Sequence, residues 1–136
     1  MGKIVNATAS WTDGERFVVS ASSGHAFVVD ADRERNSGPG PMELVLIGLC
    51  TCTASDVVGI LRKKRELFTS LDVRAEGVRA DGIPSVYQTI KLVYRVGGKV
   101  QKKSVEDAVK LSKEKYCSVS AMLEKTAKIA FEIEYV

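Results

Sequence analysis

The chain carries three cysteines, Cys50, Cys52 and Cys117, and one histidine, His25. A cysteine can serve as nucleophile, metal ligand or half of a disulfide, and spacing selects among these. Cys50 and Cys52 fall within PMELVLIGLCTCTASDVVGILRKKR, residues 41–65, which reads as one long, mostly buried helix. Positions two apart on a helix are separated by about 200°, so these thiols face different sides and cannot pair while the helix is intact. Cys52 shares its face with Gly48, Ser55 and Gly59, a stripe that lets another helix or a ligand come close. Cys50 shares its face with Leu46, Thr53 and Val57, a packing face, and free cysteines are commonly small buried hydrophobes. Cys117 stands at or just before a later helix start, with Lys113 and Lys115 nearby in sequence. A helix N-terminus and neighbouring cations both favour a thiolate. Cys52 is mid-helix, where a thiolate needs a cation brought by the fold.

Other chemistries fit less well. There is no CxxC, and C-x-C on a helix cannot present both sulfurs to one ion, so no metal site is expected. His25 reads as an ordinary turn-flanking residue. No serine sits in a nucleophile elbow, which argues against a Ser–His–Asp hydrolase. The motifs call for no cofactor. Basic runs occur at residues 62–65 and 99–103, but without aromatic stacking residues beside them they give no reason to expect nucleic-acid binding.

The elements that must position the thiols follow from hydropathy and turn residues. Residues 3–11 alternate as a strand, Asp13-Gly14 turns, residues 16–21 form a second strand, and residues 25–30 a third; such tight spacing implies an antiparallel meander. A polar loop, ADRERNSGPG, leads to Pro41, which suits a first helical turn. Glu43 and the basic residues 62–65 complement the dipole of the long helix. Strands are expected at 71–80, with a bulge at Gly77, and at 86–96, ended by Gly97-Gly98. Ser104 and Asp107 suggest a capping box, and Ser118 an N-cap for a second short helix. Residues 129–136 alternate as a closing strand. The order is β-β-β-α-β-β-α-α-β, an α+β fold in a single domain, 1–136.

At 136 residues, 45% apolar and 27% charged, the composition is that of a globular domain with a proper core. The formal net charge of +3 selects no partner. No N-terminal apolar run suggests a signal sequence, and the long helix carries too many Thr, Ser and Asp residues to be expected to cross a bilayer. A cytoplasmic location without a membrane partner is the expectation, and there cysteines point to redox chemistry or burial more than to structural disulfides.

Taken together, PMELVLIGLCTCTASDVVGIL and the later LSKEKYCSVSAMLEK resemble the OsmC/Ohr family of organic-hydroperoxide and osmotic-stress proteins. SGHAFVVDAD, DVVGILRKKR and KYCSV resemble its YhfA-like branch in particular. The resemblance spans nearly the whole chain in the same element order. It implies an intertwined homodimer with two long cysteine-bearing helices packed centrally. It also implies a peroxidatic cysteine in the first long helix and a resolving cysteine at the head of a later one, matched here by Cys52 and Cys117.

The implied chemistry is attack of a Cys52 thiolate on the distal oxygen of an organic hydroperoxide, giving an alcohol and a sulfenic acid. Condensation with Cys117 then releases water and forms a disulfide. An external dithiol, such as a lipoyl group, regenerates the thiols. Val45, Leu49 and Met122 are expected as pocket walls. Peroxidase members also pair an early arginine with a glutamate directly after the helix-opening proline. Here Met42 follows Pro41 and the acid, Glu43, comes one place later. Arg16 is the first candidate for the arginine, with Arg33 and Arg35 as alternatives. The competing reading is a non-enzymatic relative that binds a small apolar or thiol-reactive ligand in the same interfacial pocket; a dimeric domain with no ligand is a weaker third.

Overall fold

The computed structural model describes residues 2–136. Two compact units divide the chain, residues up to Val45 and Leu46–Val136, and the boundary falls inside the long helix rather than in a linker.

The first unit is the expected meander: β1 (Ala7–Asp13), β2 (Arg16–Ala21) and β3 (Ala26–Asp30), antiparallel in the order β1-β2-β3. Asp30, at the end of β3, is fully buried. Its Oδ2 accepts from Ser37 Oγ at 2.6 Å and from Arg35 Nε at 3.0 Å, and its Oδ1 accepts from the Asp32 N–H at 2.9 Å. The Ser37 hydroxyl, the Arg35 guanidinium and these N–H groups outweigh burial and hold the carboxyl well below its ordinary range. This carboxylate folds the polar loop back on itself and so sets where the long helix begins.

That helix is α1 (Pro41–Lys63). By length and composition alone it is long and apolar enough to cross a membrane, contrary to the sequence expectation. One stripe of it enters the core of this chain, while most of the helix is half-buried or exposed. Leu49, Thr53, Val57 and Leu61, spaced by one turn, are buried within the second unit. Only this stripe is fully buried; Ile47, Thr51, Ser55 and Gly59 face outward from the chain. The helix stops two residues earlier than expected. Arg65 takes a left-handed conformation, and the Glu66 N–H reaches the Leu61 carbonyl at 3.0 Å, closing the end.

The second unit adds β4 (Leu67–Arg79), β5 (Tyr87–Lys99), α2 (Lys102–Leu111), a π-helical turn (Ser112–Tyr116), α3 (Ser118–Leu123) and β6 (Lys128–Tyr135). β5 is the central strand, antiparallel to β4 and parallel to β6. A parallel pair needs a crossover, which α2, the π turn and α3 supply. Ile90, Leu92, Tyr94 and Val96 alternate onto the buried face of β5 and share the core with Leu49, Val57, Leu61, Val105, Ala108 and Val109. Each large apolar side chain so buried contributes about 1.5–3 kcal/mol.

Several local expectations are corrected. Ser104 does not cap α2. The N-cap is Gln101, whose N–H donates to Glu66 Oε1 at 2.7 Å, while Ser104 donates to Glu66 Oε2 at 3.2 Å. Asp107 instead pairs with Lys64 and Lys103. Gly77 marks no bulge; a Cβ there would stand 2.6 Å from the buried Tyr87 ring, so the position needs glycine for close approach. Nor do Gly97 and Gly98 end the strand. They let β5 pass the bulge at Phe68/Ser70 in β4, with Gly98 at φ 104°.

Candidate active site

The sequence leaves open which cysteines meet. Cys52 is half-buried on α1, and Cys117 is almost fully buried at the head of α3. Their side chains lie within hydrogen-bonding reach, in an arrangement that keeps the proton on Cys117. Cys50, on the other side of α1, hydrogen-bonds instead with the backbone of Ala75 in β4, and burial pushes its thiol up. The helical period thus separates two neighbouring thiols, and only one of them reaches Cys117.

Cys117 itself, rather than Ser118, is the N-cap of α3. Its Sγ accepts from the Ser120 N–H at 3.3 Å. The π turn delivers it there, because the Cys117 N–H bonds to the Ser112 carbonyl at 2.8 Å. The expected stabilisation of a Cys117 thiolate is not met. Lys113 donates to the Ile129 carbonyl at 2.8 Å and lies over the Phe131 ring, and Lys115 lies over Tyr116. Burial pushes the Cys117 thiol up to about 11; the Ser120 N–H opposes this, while Cys52 and the Asp56 carboxylate add to it.

Behind the thiols runs a buried chain of hydroxyls. Tyr94 and Thr53 are 2.7 Å apart, Thr53 and Ser112 are 2.8 Å apart, and Ser112 donates to Asp56 Oδ2 at 2.8 Å. Burial, only partly offset by the Thr53 contact, pushes the Tyr94 hydroxyl up to about 12. Ser120 Oγ, also buried, has no hydrogen-bond partner among the described residues. Sequence patterns did not single out Thr53, Tyr94, Ser112 or Asp56; the one usable signal was Asp56 as the only charge between Glu43 and Arg62.

Asp56 also lines an open groove of about 460 Å³ with Ser55, Gly59, Ile60, Leu111 and Tyr116, and Lys63 and Lys64 border it. Of the residues expected as pocket walls, Leu49 is packed in the core and Met122 is largely exposed.

Glu43 occupies the third position of α1. Its Oε1 accepts from the Gly40 N–H at 2.8 Å, half of a capping box, and from Arg33 at 2.9 Å. The arginine that meets Glu43 is therefore Arg33. Arg16 pairs with Asp13 at 3.2 Å in the β1–β2 turn, and Arg35 is held by Asp30 and Asp13. One place later than the resemblance calls for, the acid both caps α1 and meets an arginine. Among the described residues, no group of three or more His, Cys, Asp or Glu side chains is placed to hold a metal ion.

Comparison with known proteins decides the family. The sequence profile described as "OsmC-like protein" matches residues 34–132. The chain belongs to the OsmC-like family. Protein YhfA of Escherichia coli K12 is 36% identical over 133 residues, covering 97% of this chain and 98% of YhfA. Among solved structures, a hypothetical protein from Aquifex aeolicus VF5 superimposes with a TM-score of 0.86 at 32% identity, covering 99% of each chain. The organic hydroperoxide resistance protein OhrB of Bacillus subtilis shares the fold, with a TM-score of 0.68 at 13% identity, over 97% of this chain and 98% of its own. The OsmC-like chain thus has the α+β architecture its motifs implied, with the Cys52–Cys117 pair set within it.

Proposed function

We propose that the protein is a thiol-dependent peroxidase that reduces organic hydroperoxides, with Cys52 as the peroxidatic and Cys117 as the resolving cysteine. The observation that carries this reading is the approach of these two side chains across α1 and α3. A protonated resolver leaves the first attack to Cys52 and can condense with its sulfenic acid in place. The fold shared with a protein named for organic hydroperoxide resistance supports the same chemistry. An external dithiol, such as a lipoyl group, then restores the thiols, and the protein contributes to oxidative-stress defence in the cytoplasm.

The working form in this reading is a homodimer. A Cβ added at Gly48 or Gly59 would meet nothing within 4 Å in the single chain, and Ile47 and Met122 stand exposed. A second long helix laid along that free face would cover it. Glu43 with Arg33 takes the role that the resemblance gives to the glutamate–arginine pair.

A second reading has one specific observation in its favour. The carboxylate of Asp56 is among the groups that oppose a Cys117 thiolate, and the groove that Asp56 lines with Ile60, Leu111 and Tyr116 suits a ligand. Here the OsmC-like chain binds a small apolar or thiol-reactive molecule without turnover.

Intact mass under non-reducing conditions, after one equivalent of an alkyl hydroperoxide, separates the two. Loss of two hydrogens per chain, mapped to a Cys52–Cys117 disulfide, is expected for the peroxidase. Three unchanged thiols would overturn it and direct attention to the groove.

A further inference from the structure

Ser112 opens the π turn and is fully buried. Its carbonyl accepts from the Cys117 N–H at 2.8 Å, the five-residue step that makes the turn π rather than α. Its hydroxyl lies 2.8 Å from Thr53 Oγ1 and donates to Asp56 Oδ2 at 2.8 Å. Thr53 directly follows Cys52 on α1, and Asp56 lies about one turn beyond it. One residue therefore joins the backbone of Cys117 to the stretch of helix that carries Cys52.

The direction of these bonds leaves the line a single arrangement. A carboxylate only accepts, so Ser112 spends its one proton on Asp56. Ser112 can then only accept from Thr53, and Thr53 from Tyr94, which anchors the line on β5. Thr53, Tyr94 and Ser112 are each no more than 2% exposed, so water does not compete for the bonds. A buried network with every hydroxyl satisfied is rigid. Lys113 adds a second tie to the turn by donating to the Ile129 carbonyl of β6 at 2.8 Å.

We propose that Ser112 is a positioning residue: its hydroxyl, held between Thr53 and Asp56, fixes Cys117 against Cys52 and so favours closure of their disulfide. The proposal rests on the reading of Cys52 and Cys117 as a disulfide-forming pair. In that step the Cys117 sulfur bonds to the Cys52 sulfur as the S–O bond of the sulfenic acid breaks. The Cys117 hydrogen and the Cys52 hydroxyl leave together as water. Ser112 gives and takes no atom. It acts through the effective concentration of one thiol at the other, which falls when the reacting atoms are free to separate.

A glutathione buffer tests this without hydroperoxide. In a Cys50→Ser background, the fraction of Cys52–Cys117 disulfide is read by intact mass after acid quenching, across ratios of reduced to oxidised glutathione. Each disulfide formed converts one oxidised glutathione into two thiols. Ser112→Ala keeps the carbonyl bond to Cys117 and removes the side-chain clamp. It is expected to lower the equilibrium constant for closure about tenfold, equivalent to about 30 mV for this two-electron couple. Thr53→Val keeps the side chain's shape, removes its hydroxyl and should act in the same direction. Thr53→Ser keeps the hydroxyl and should retain the parent value, although it leaves the larger cavity. Loss of global stability alone does not move this equilibrium, because two folded forms of one variant are compared. Ile90→Val, a core substitution outside the line, should therefore leave it unchanged.

A parent-like constant in Ser112→Ala overturns the positioning role. Should Ser112→Ala not fold, a parent-like constant in Thr53→Val overturns it instead. A shift in Thr53→Ser or Ile90→Val as large as that in Thr53→Val also overturns it, because packing then sets the equilibrium. Absence of a Cys52–Cys117 disulfide in the parent at every ratio overturns the role together with the pairing. A parent that closes normally in glutathione but that hydroperoxide leaves reduced overturns only the peroxidase reading.

Discussion

Cys52 and Cys50 are two residues apart on α1 yet have different partners: Cys52 meets Cys117, and Cys50 bonds with the backbone of Ala75 in β4. The separation follows from the helical rotation of about 200° between them. It assigns the two thiols separate fates.

The first prediction follows from that separation. Cys52→Ser is expected to abolish hydroperoxide reduction, and Cys50→Ser to leave most of it. Cys117→Ser is expected to permit one turnover and leave Cys52 as a sulfenic or over-oxidised acid, visible by mass. Equal loss in the Cys50 and Cys52 variants would remove the distinction between the two faces of α1.

A second concerns alkaline pH. The Cys117 thiol is pushed from an ordinary 9.0 up to about 11, chiefly by burial, so folding favours its protonated form. The corresponding stabilisation is complete below 9.0 and is lost as pH rises through about 11. Thermal unfolding of the reduced protein across this range should show a falling Tm, with a shallower fall in Cys117→Ala. The slope is the readout, because the substitution also lowers Tm at every pH. An identical slope in the variant would place the alkaline loss on another group.

The third tests the acid–arginine pair. Glu43→Gln keeps an acceptor for the Gly40 N–H and removes the charge facing Arg33. On the proposed role, alkylation of Cys52 slows on the order of tenfold, equivalent to about 1.4 kcal/mol in the barrier. Arg33→Ala should act similarly, and Arg16→Ala, whose side chain is engaged with Asp13, should not. The reverse order of effects would return the role to Arg16.

The fourth concerns the sheet beside the site. Gly98 sits at φ 104°, and a Cβ there would come 2.5 Å from the Leu67 carbonyl oxygen. Gly98→Ala therefore combines backbone strain with overpacking and is expected to cost roughly 3 kcal/mol. Urea unfolding would measure it. A loss below about 0.5 kcal/mol, the range of ordinary surface substitutions, would mean that the β4 bulge yields freely.

Much of the architecture was legible from local pattern. Alternation marked the strands, and β2 begins and ends where the pattern placed it, at Arg16 and Ala21. The 3.6-residue period alone put Cys50 and Cys52 on different faces, because helix rotation depends on nothing beyond the chain's own hydrogen bonds. Capping was less legible. Ser104 and Asp107 have the spacing of a box, but Glu66, distant in sequence, accepts from the Gln101 N–H with one carboxylate oxygen and from the Ser104 hydroxyl with the other.

The chemistry at Cys117 was decided by tertiary structure. Sequence neighbours Lys113 and Lys115 suggested an activated thiolate, but the π turn aims one at the Ile129 carbonyl and Phe131 and the other at Tyr116. Burial then governs the thiol. The hydroxyl chain is still further from sequence reach, since Thr53, Tyr94 and Ser112 lie on α1, β5 and the π turn and become neighbours only when helix packs on sheet. Periodicity tells which way a side chain points; what it meets depends on contacts between elements that no local pattern encodes.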